Sequence, residues 1–339
     1  MTGVSALEMA QAAALLEAGG LVAFPTETVY GLGADAENPA AVARIYQAKG
    51  RPSDHPVIVH VAPGADLDYW ADAIPAQARQ LVAAFWPGPL TLILKRHARI
   101  PAAVSGGQDT LGLRCPAHPV AIALLRAFKG GKGGVAAPSA NKFGHVSPTT
   151  ARHVQDEFGM HAGGPIGAIL DGGPCAVGIE STIVDLSRLA SHGPVLLRPG
   201  QISADSIAAV IGQWPGLPDA GAPRASGTLD SHYAPRTPVA MLDGVALPAA
   251  LAQLAALGRR VALIHHSPLA AADAGVCLPA QADAYAHALY ASLRAMDAEG
   301  CDLILLEAPP QDAQWTGVND RLRRAAHGSA GIIAQLLHP

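Results

Sequence analysis

Apolar residues recur at helical spacing over residues 6–18, and the run stops at Gly19-Gly20, a pair suited to ending a helix. Leu21-Val22-Ala23-Phe24 then forms an unbroken apolar stretch that reads as a buried strand, closed by Pro25. Asn38-Pro39 supplies a cap and a first-turn proline to a helix with Val42, Ile45 and Tyr46 on one face, and this helix runs out at Lys49-Gly50. Short apolar runs at 56–61, 90–94, 111–114, 134–137, 169–170, 181–186 and 195–198 predict strands, interleaved with helical stretches near 76–84, 119–128 and 148–157. The pattern is that of an α/β domain with a mixed sheet.

From 214 to 238 the apolar period disappears, and Pro215, Pro218, Pro223, Pro235 and Pro238 stand among glycines and serines. Beyond this linker, strands at 239–242, 261–265 and 303–306 alternate with alanine-rich helices near 247–257 and 281–298, a βαβαβ rhythm. The expected organisation is a larger domain over 1–213, a linker or lid over 214–238 and a smaller Rossmann-like domain over 239–339. The first strand of that second domain is not followed by G-x-G-x-x-G, so dinucleotide binding has no support.

The chain has 339 residues, and at roughly 150 residues per domain that agrees with two domains. Half of the residues are hydrophobic (50%) and 15% are charged, which excludes a disordered polyelectrolyte. The net charge of −4 and an aromatic content of 4% argue against strong direct tRNA or other RNA affinity, so a phosphate ligand must be held by local cations. No Lys or Arg precedes Arg44 and no apolar run approaches ~18 residues, so neither a secretory signal nor a membrane span is expected, and the expected location is the cytoplasm. Cys115, Cys175, Cys277 and Cys301 form no C-x-x-C pair and are expected to be buried neutral thiols. The 14 histidines include no H-E-x-x-H, and His265-His266 at a strand end reads as structural, so no protein metal site is expected. No G-x-S-x-G elbow supports a serine hydrolase either.

Five segments carry candidate chemistry. Pro25-Thr26-Glu27-Thr28-Val29-Tyr30-Gly31 puts polar side chains directly after a buried strand, where a doubly wound sheet opens onto a ligand crevice; a turn with capping hydroxyls accounts for the same residues. Lys49-Gly50-Arg51-Pro52 holds two cations around a glycine, as a phosphate clamp requires and as a solvated helix end also allows. Pro138-Ser139-Ala140-Asn141 offers a hydroxyl and a carboxamide to phosphate oxygens or a metal-bound water. The Lys129–Val135 region imitates a P-loop but lacks Gly-Lys-Ser/Thr and is rejected as one. Gly178-Ile179-Glu180-Ser181-Thr182 and Leu197-Arg198-Pro199-Gly200 add hydroxyls and another cation near strand ends, and Arg114 supplies a further one.

In order over residues 21–200, F-P-T-E-T-V-Y-G-L, K-G-R-P-S-D, W-P-G-P-L-T, R-C-P, P-S-A-N, G-x-E-S-T-I-V-D and L-R-P-G resemble the Sua5/YrdC family. Ser231-His232-Tyr233-Ala234-Pro235 and Asn319-Asp320-Arg321-Leu322-Arg323-Arg324 resemble its longer, two-domain Sua5 type. The resemblance implies an open, twisted YrdC-like sheet enclosing a cationic cavity. It also implies synthesis of threonylcarbamoyl-AMP and pyrophosphate from L-threonine, bicarbonate and ATP. The product would pass to a transferase acting on adenosine 37 of tRNA. By the same resemblance Lys49, Arg51, Ser139 and Asn141 would hold the nucleotide phosphates, with Mg²⁺ carried by those phosphates. Thr28, His60, Arg114, Ala137 and Ser181 would surround L-threonine, and Arg51, His55, Thr110, Ser139, Ser147, Arg198 and Tyr233 would contact ATP. Position 55 departs from the family, whose members commonly have Asn there, and Ala225-Ser226-Gly227-Thr228-Leu229 departs from the commoner linker. Two other readings are an RNA-binding YrdC-like module and a carbamoyl transferase of the hydrogenase-maturation kind, whose cysteine pairs and acylphosphatase-like region are missing here.

Overall fold

The computed structural model describes residues 3–159, 164–268, 274–329 and 331–337. They form two compact units, Met1–Phe143 with Pro148–Thr228, and Gly144–Ser147 with Leu229–Pro339. The division therefore falls inside the 214–238 segment, and four residues from within the span of the first unit group with the second.

In the first unit, chain order runs α1 (Ala6–Glu17), β1 (Val22–Phe24), β2 (Gly31–Asp35), α2 (Pro39–Lys49), β3 (Ile58–Val61), α3 (Leu67–Trp70), β4 (Ala71–Asp72) and α4 (Ala76–Phe85). It continues with β5 (Leu90–Arg96), β6 (Thr110–Arg114), α5 (Pro119–Ala127), β7 (Gly134–Ala136), α6 (Ala151–Phe158), β8 (Ala168–Ile169), β9 (Thr182–Asp185), α7 (Leu189–His192), β10 (Val195–Arg198) and α8 (Ala204–Ile211). The strands make one mixed sheet in the order β10-β9-β5-β6-β3-β7-β2-β1-β8, with β4 on β5. Among the described residues of this unit the parallel strand pairs are β3/β6, β5/β9 and β1/β8.

The local signals explain most of these elements. Asn38 accepts hydrogen bonds from the N–H groups of Ala40 and Ala41, Pro39 opens α2, and Gly50 ends it in the left-handed region at φ +65°. The expected helix near 148–157 starts later, because Thr150 is its cap and bonds the His153 N–H. Sequence patterning misses β2: the segment after Phe24 is a connection between antiparallel strands, not the exit of a strand toward a helix. The reason is composition, since Gly31-Leu32-Gly33-Ala34-Asp35 has no β-branched residue, and its glycines are there for close approach. A Cβ on Gly33 would lie 2.8 Å from Val135 Cγ1 and 2.9 Å from Phe24 Cε1.

The two faces of the sheet differ. Val59, Val61, Leu92, Leu94, Leu111, Leu113 and Val184 pack into the main core with Ile45, Leu81 and Ile207 of the helices. The opposite face carries Ile58, Ile93 and Ile183 with Ala225 packed on them. Strand alternation places His60, Thr91, Thr110 and Arg114 on that second face. Gly112 marks its middle, because a Cβ there would meet Ile93, Ile58 and Thr91.

The second unit has β11 (Val239–Leu242), α9 (Leu247–Ala256), β12 (Val261–His265), β13 (Ala274–Cys277), α10 (Ala282–Ala298), β14 (Leu303–Glu307), α11 (Thr316–Ala326) and α12 (Ile332–Leu337). Its strands are all parallel, in the order β11-β14-β12-β13. Leu247, Leu254, Leu263, Leu303 and Leu305 form its core. At the end of β12 the His266 backbone N–H donates to Glu307 Oε2 at 2.8 Å and its ring Nδ1 lies 3.2 Å from the same oxygen. The expectation of four buried thiols fails at Cys277, which is exposed on β13.

Candidate active site

The cationic loop after α2 and the P-S-A-N loop after β7 are stitched together. Lys49 Nζ donates to the Ser139 carbonyl at 2.6 Å and to the Asn141 carbonyl, and the Phe143 N–H returns a bond to the Lys49 carbonyl at 2.9 Å. The ammonium is enclosed, with Lys49 only 3% exposed, and burial followed by the neighbouring Arg51 charge pushes its pKa well below the usual lysine range. Arg51 Nη2 donates to the Pro56 carbonyl at 2.8 Å. His55 sits partly exposed beside them, edge-on to Phe143 at 5.4 Å, and burial and Arg51 lower its pKa. The Ser139 hydroxyl is half-buried and makes no hydrogen bond to the protein among the described residues.

The P-T-E-T-V-Y-G connection runs against the same loop. Ala140 N–H donates to the Tyr30 carbonyl at 2.8 Å, and Leu32 N–H to the Pro138 carbonyl at 2.8 Å. Gly31 pairs with Ser139, and a Cβ at Gly31 would lie 3.2 Å from Ala137 Cβ, so the glycine permits this approach. Ala137 is anchored to β3 through its N–H on the Ile58 carbonyl at 2.9 Å.

Arg114 ends β6 on the polar face of the sheet. Its Nη2 donates to Glu27 Oε1 at 2.7 Å and to Thr28 Oγ1 at 2.8 Å, and its Nε to the Gly88 carbonyl at 3.4 Å. Nη1 has no protein partner among the described residues and keeps accessible surface. His60 lies opposite Arg114 in the β3/β6 register, edge-on to Phe24 at 6.1 Å, with a buried Nδ1 that has no hydrogen-bond partner among the described residues. Burial, then the Arg114 charge, holds its pKa down at about 3, so the imidazole is neutral at physiological pH.

Ser181 and Arg198 form a third cluster. Arg198 Nε and Nη2 donate to the Ser181 carbonyl at 3.0 and 2.9 Å, Nη2 also reaches Ser181 Oγ at 3.1 Å, and the Thr91 hydroxyl lies 2.8 Å from that Oγ. Arg198 Nη1 donates to the Ser226 carbonyl at 2.8 Å, tying the segment that carries Ala225 down over the sheet. Arg224 fixes the other side of that segment through Nη2 to the Asp54 and Gly106 carbonyls, both at 3.1 Å.

Lys49, Arg51, Arg114 and Arg198 are all buried in the first unit. They are linked through the loops: Gly178 N–H bonds the Thr28 carbonyl at 3.2 Å, Glu180 exerts its charge on Lys49, and Ser181 holds Arg198. Asn141 lies with Lys49, and Thr110 begins the strand that Arg114 ends. Thr28 and Ser181 have no accessible surface; their hydroxyls are engaged with neighbouring side chains. Ser147 and Tyr233 belong to the second unit. There Tyr233 is buried at φ +60°, its ring 5.7 Å from Tyr290 and 5.4 Å from the Arg321 guanidinium. Ala234 N–H donates to the Gly144 carbonyl at 2.9 Å, which holds the 144–147 segment. Sequence reading gave no role to Glu27, Thr91 or Arg224; each bonds a residue about 90 or more positions away, and no local pattern marks such a pair.

Residues 14–200 match the family model Sua5_yciO_yrdC, described as telomere recombination, and residues 202–327 match Sua5_C, the C-terminal domain of threonylcarbamoyl-AMP synthase. Threonylcarbamoyl-AMP synthase of Pyrococcus abyssi is 39% identical over 326 residues, covering 93% of each chain. That of Bacillus subtilis is 41% identical over 336 residues, covering 95% of this chain and 93% of the relative. A crystal structure of P. abyssi Sua5 complexed with L-threonine superposes with a TM-score of 0.86 at 37% identity, covering 95% of both chains. With both of its family models matched in sequence order and two-domain relatives aligned nearly end to end, this chain belongs to the Sua5/YrdC family, in its two-domain Sua5 form.

Proposed function

We propose that this chain is a nucleotidyltransferase of the cytoplasm, a threonylcarbamoyl-AMP synthase that condenses L-threonine, bicarbonate and ATP and releases pyrophosphate. The product supplies the threonylcarbamoyl group that a separate transferase places on adenosine 37 of tRNA. The observation that carries the reading is the joint between the Lys49 ammonium and the Ser139–Asn141 loop, in a unit whose sheet also presents an open Arg114 Nη1. Together they provide cations for a polyphosphate and for an amino-acid carboxylate in a chain whose net charge is −4.

The threonine amine attacks the carbon of bicarbonate, with a C–O bond broken and water lost, or of carbon dioxide derived from it, with the amine proton lost to solvent, giving a carbamate in either case. A carbamate oxygen then attacks the α-phosphorus of ATP, and the bond to the pyrophosphate oxygen breaks. Negative charge accumulates on the phosphoryl oxygens, so the protein's contribution is alignment and charge neutralisation. In this reading Arg51 and the Ser139 hydroxyl meet phosphate oxygens, while Lys49 sets the P-S-A-N loop and supplies positive potential from behind it. Arg114 takes the threonine carboxylate, and the neutral His60 offers Nδ1 as an acceptor to the substrate's polar hydrogens. Among the described residues no three His, Cys, Asp or Glu side chains gather as a metal cradle, and the donors beside the cations are a hydroxyl and a carboxamide. That set suits a Mg²⁺ ion delivered with the triphosphate, its remaining positions filled by neutral oxygens or water.

Pyrophosphate release from Mg-ATP tests the reading, and it is expected to require both L-threonine and bicarbonate. Ser139→Ala is expected to cut that rate about 100- to 1000-fold without lowering the melting temperature, since its hydroxyl bonds nothing in the protein among the described residues. Lys49→Ala is a poorer probe, because it leaves two buried carbonyls unpaired and lowers stability as well. Release that is equal without threonine contradicts the proposal.

A further inference from the structure

We infer that Glu27 is a positioning residue for amino-acid recognition: its carboxylate fixes Arg114 so that Nη1 alone is offered to the carboxylate of L-threonine. The inference deepens the reading above and rests on it, since it takes Arg114 as the receptor of that carboxylate.

A guanidinium normally meets a carboxylate through a two-nitrogen fork. Here the fork is spent within the protein. Nη2 is bonded to Glu27 Oε1 at 2.7 Å and to Thr28 Oγ1 at 2.8 Å, and Nε to the Gly88 carbonyl at 3.4 Å. Five N–H groups are available to arginine; these contacts use three and leave the two on Nη1. Glu27 is itself fixed, because its second oxygen accepts the Ala117 N–H at 2.9 Å. That N–H lies three residues beyond Arg114, so the carboxylate braces the strand end and the guanidinium together.

The Thr28 contact is directional. The Thr26 hydroxyl proton goes to the Val29 carbonyl at 2.6 Å, so the hydrogen in the 2.8 Å contact between Thr26 and Thr28 comes from Thr28. A lone pair of Thr28 then faces the Arg114 N–H, and this hydroxyl cannot turn to donate elsewhere. Glu27 also sets the local charge. Paired with Arg114 it makes a net-neutral element, which suits a zwitterion entering beside the uncharged His60. A buried ion pair is weak support for stability, so its presence at 8% exposure for Glu27 and 4% for Arg114 points to geometry as its role.

The test is L-threonine binding by calorimetry without ATP, together with steady-state kinetics, for wild type, Glu27→Gln, Arg114→Lys and the double variant. Glutamine keeps the size and an acceptor oxygen but removes the charge. Glu27→Gln is expected to raise Kd and KM for L-threonine about tenfold, with KM for ATP within twofold and kcat at saturating threonine within about threefold. In the Arg114→Lys background the same change is expected to add less than a twofold effect, because Glu27 acts through the guanidinium. Additive losses, a parallel rise in KM for ATP, or a threonine Kd for Glu27→Gln within twofold of wild type would overturn the inference. Should Glu27→Gln fail to fold, Glu27→Asp keeps the charge but draws the carboxylate back from Nη2 and is expected to raise threonine Kd severalfold with KM for ATP within twofold; an unchanged threonine Kd there is equally contradictory. Wild type that neither binds L-threonine nor needs it for pyrophosphate release defeats the functional reading itself, before any variant is compared.

Discussion

His60 shows how one enclosed side chain ties the site to the stability of the chain. Its imidazole is 3% exposed, and burial followed by Arg114 holds the pKa at about 3, against 6.5 when solvated. Above pH 6.5 both native and unfolded chains carry it neutral, and it adds no pH dependence. As the pH falls from 6.5 toward 3 the unfolded chain gains a proton that the native one refuses, so stability drops by up to about 1.4 kcal/mol per pH unit from this residue. His60→Asn removes the contribution. Melting curves at pH 7.5 and pH 5 are expected to show a smaller acid loss for the variant than for wild type; equal losses would place the ring in contact with water. Of the cations and hydroxyls named from sequence, Lys49, Arg51, Arg114, Arg198, Thr28, Thr110 and Ser181 are buried in the first unit, Ser139 is half-buried there, and Ser147 and Tyr233 group with the second. What holds them was not legible in the motifs. Glu27 and Arg114 are 87 positions apart, and only the folded sheet makes a pair of them.

Elements were readable where their signals are local. The α2 helix shows its cap, its first-turn proline and its terminating glycine within 13 residues of sequence, Asn38 to Gly50, and it delivers Lys49 to the P-S-A-N loop. The strand β2 was hidden because its residues are chosen for closeness between neighbours and not for β-propensity. Gly33→Ala is therefore expected to cost about 1–3 kcal/mol, as its Cβ would press on Val135 and Phe24 at less than 3.0 Å. Urea unfolding checks this, with a lower midpoint at unchanged slope expected; an unaltered midpoint would mean that the β1/β2 pairing yields easily. The four-residue β13, Ala274–Cys277, escaped notice because Ala-Gly-Val-Cys holds one β-branched residue and no apolar run.

At the scale of the whole molecule, sequence order and spatial grouping part company. Gly144–Ser147 follows the P-S-A-N-K-F run directly yet belongs with Leu229–Pro339, held by the Ala234 N–H and by Arg294 on the Val146 carbonyl. No linear pattern could announce that, because the segment is four residues long and its partners come about 90 or more positions later. The proline-rich stretch, in contrast, was recognisable as irregular from composition, and its 222–228 part is anchored by Arg224 and Arg198 in the first unit. The Sua5 assignment, the cation loops and the proposed role of Arg114 support one central claim, that inorganic carbon is joined to threonine and then to AMP. The most direct measurement is mass spectrometry of the products formed from ¹³C-bicarbonate, L-threonine and Mg-ATP. The account predicts threonylcarbamoyl-AMP carrying a single ¹³C, formed in step with pyrophosphate and absent when threonine is withheld. Consumption of ATP with no labelled adenylate would contradict it.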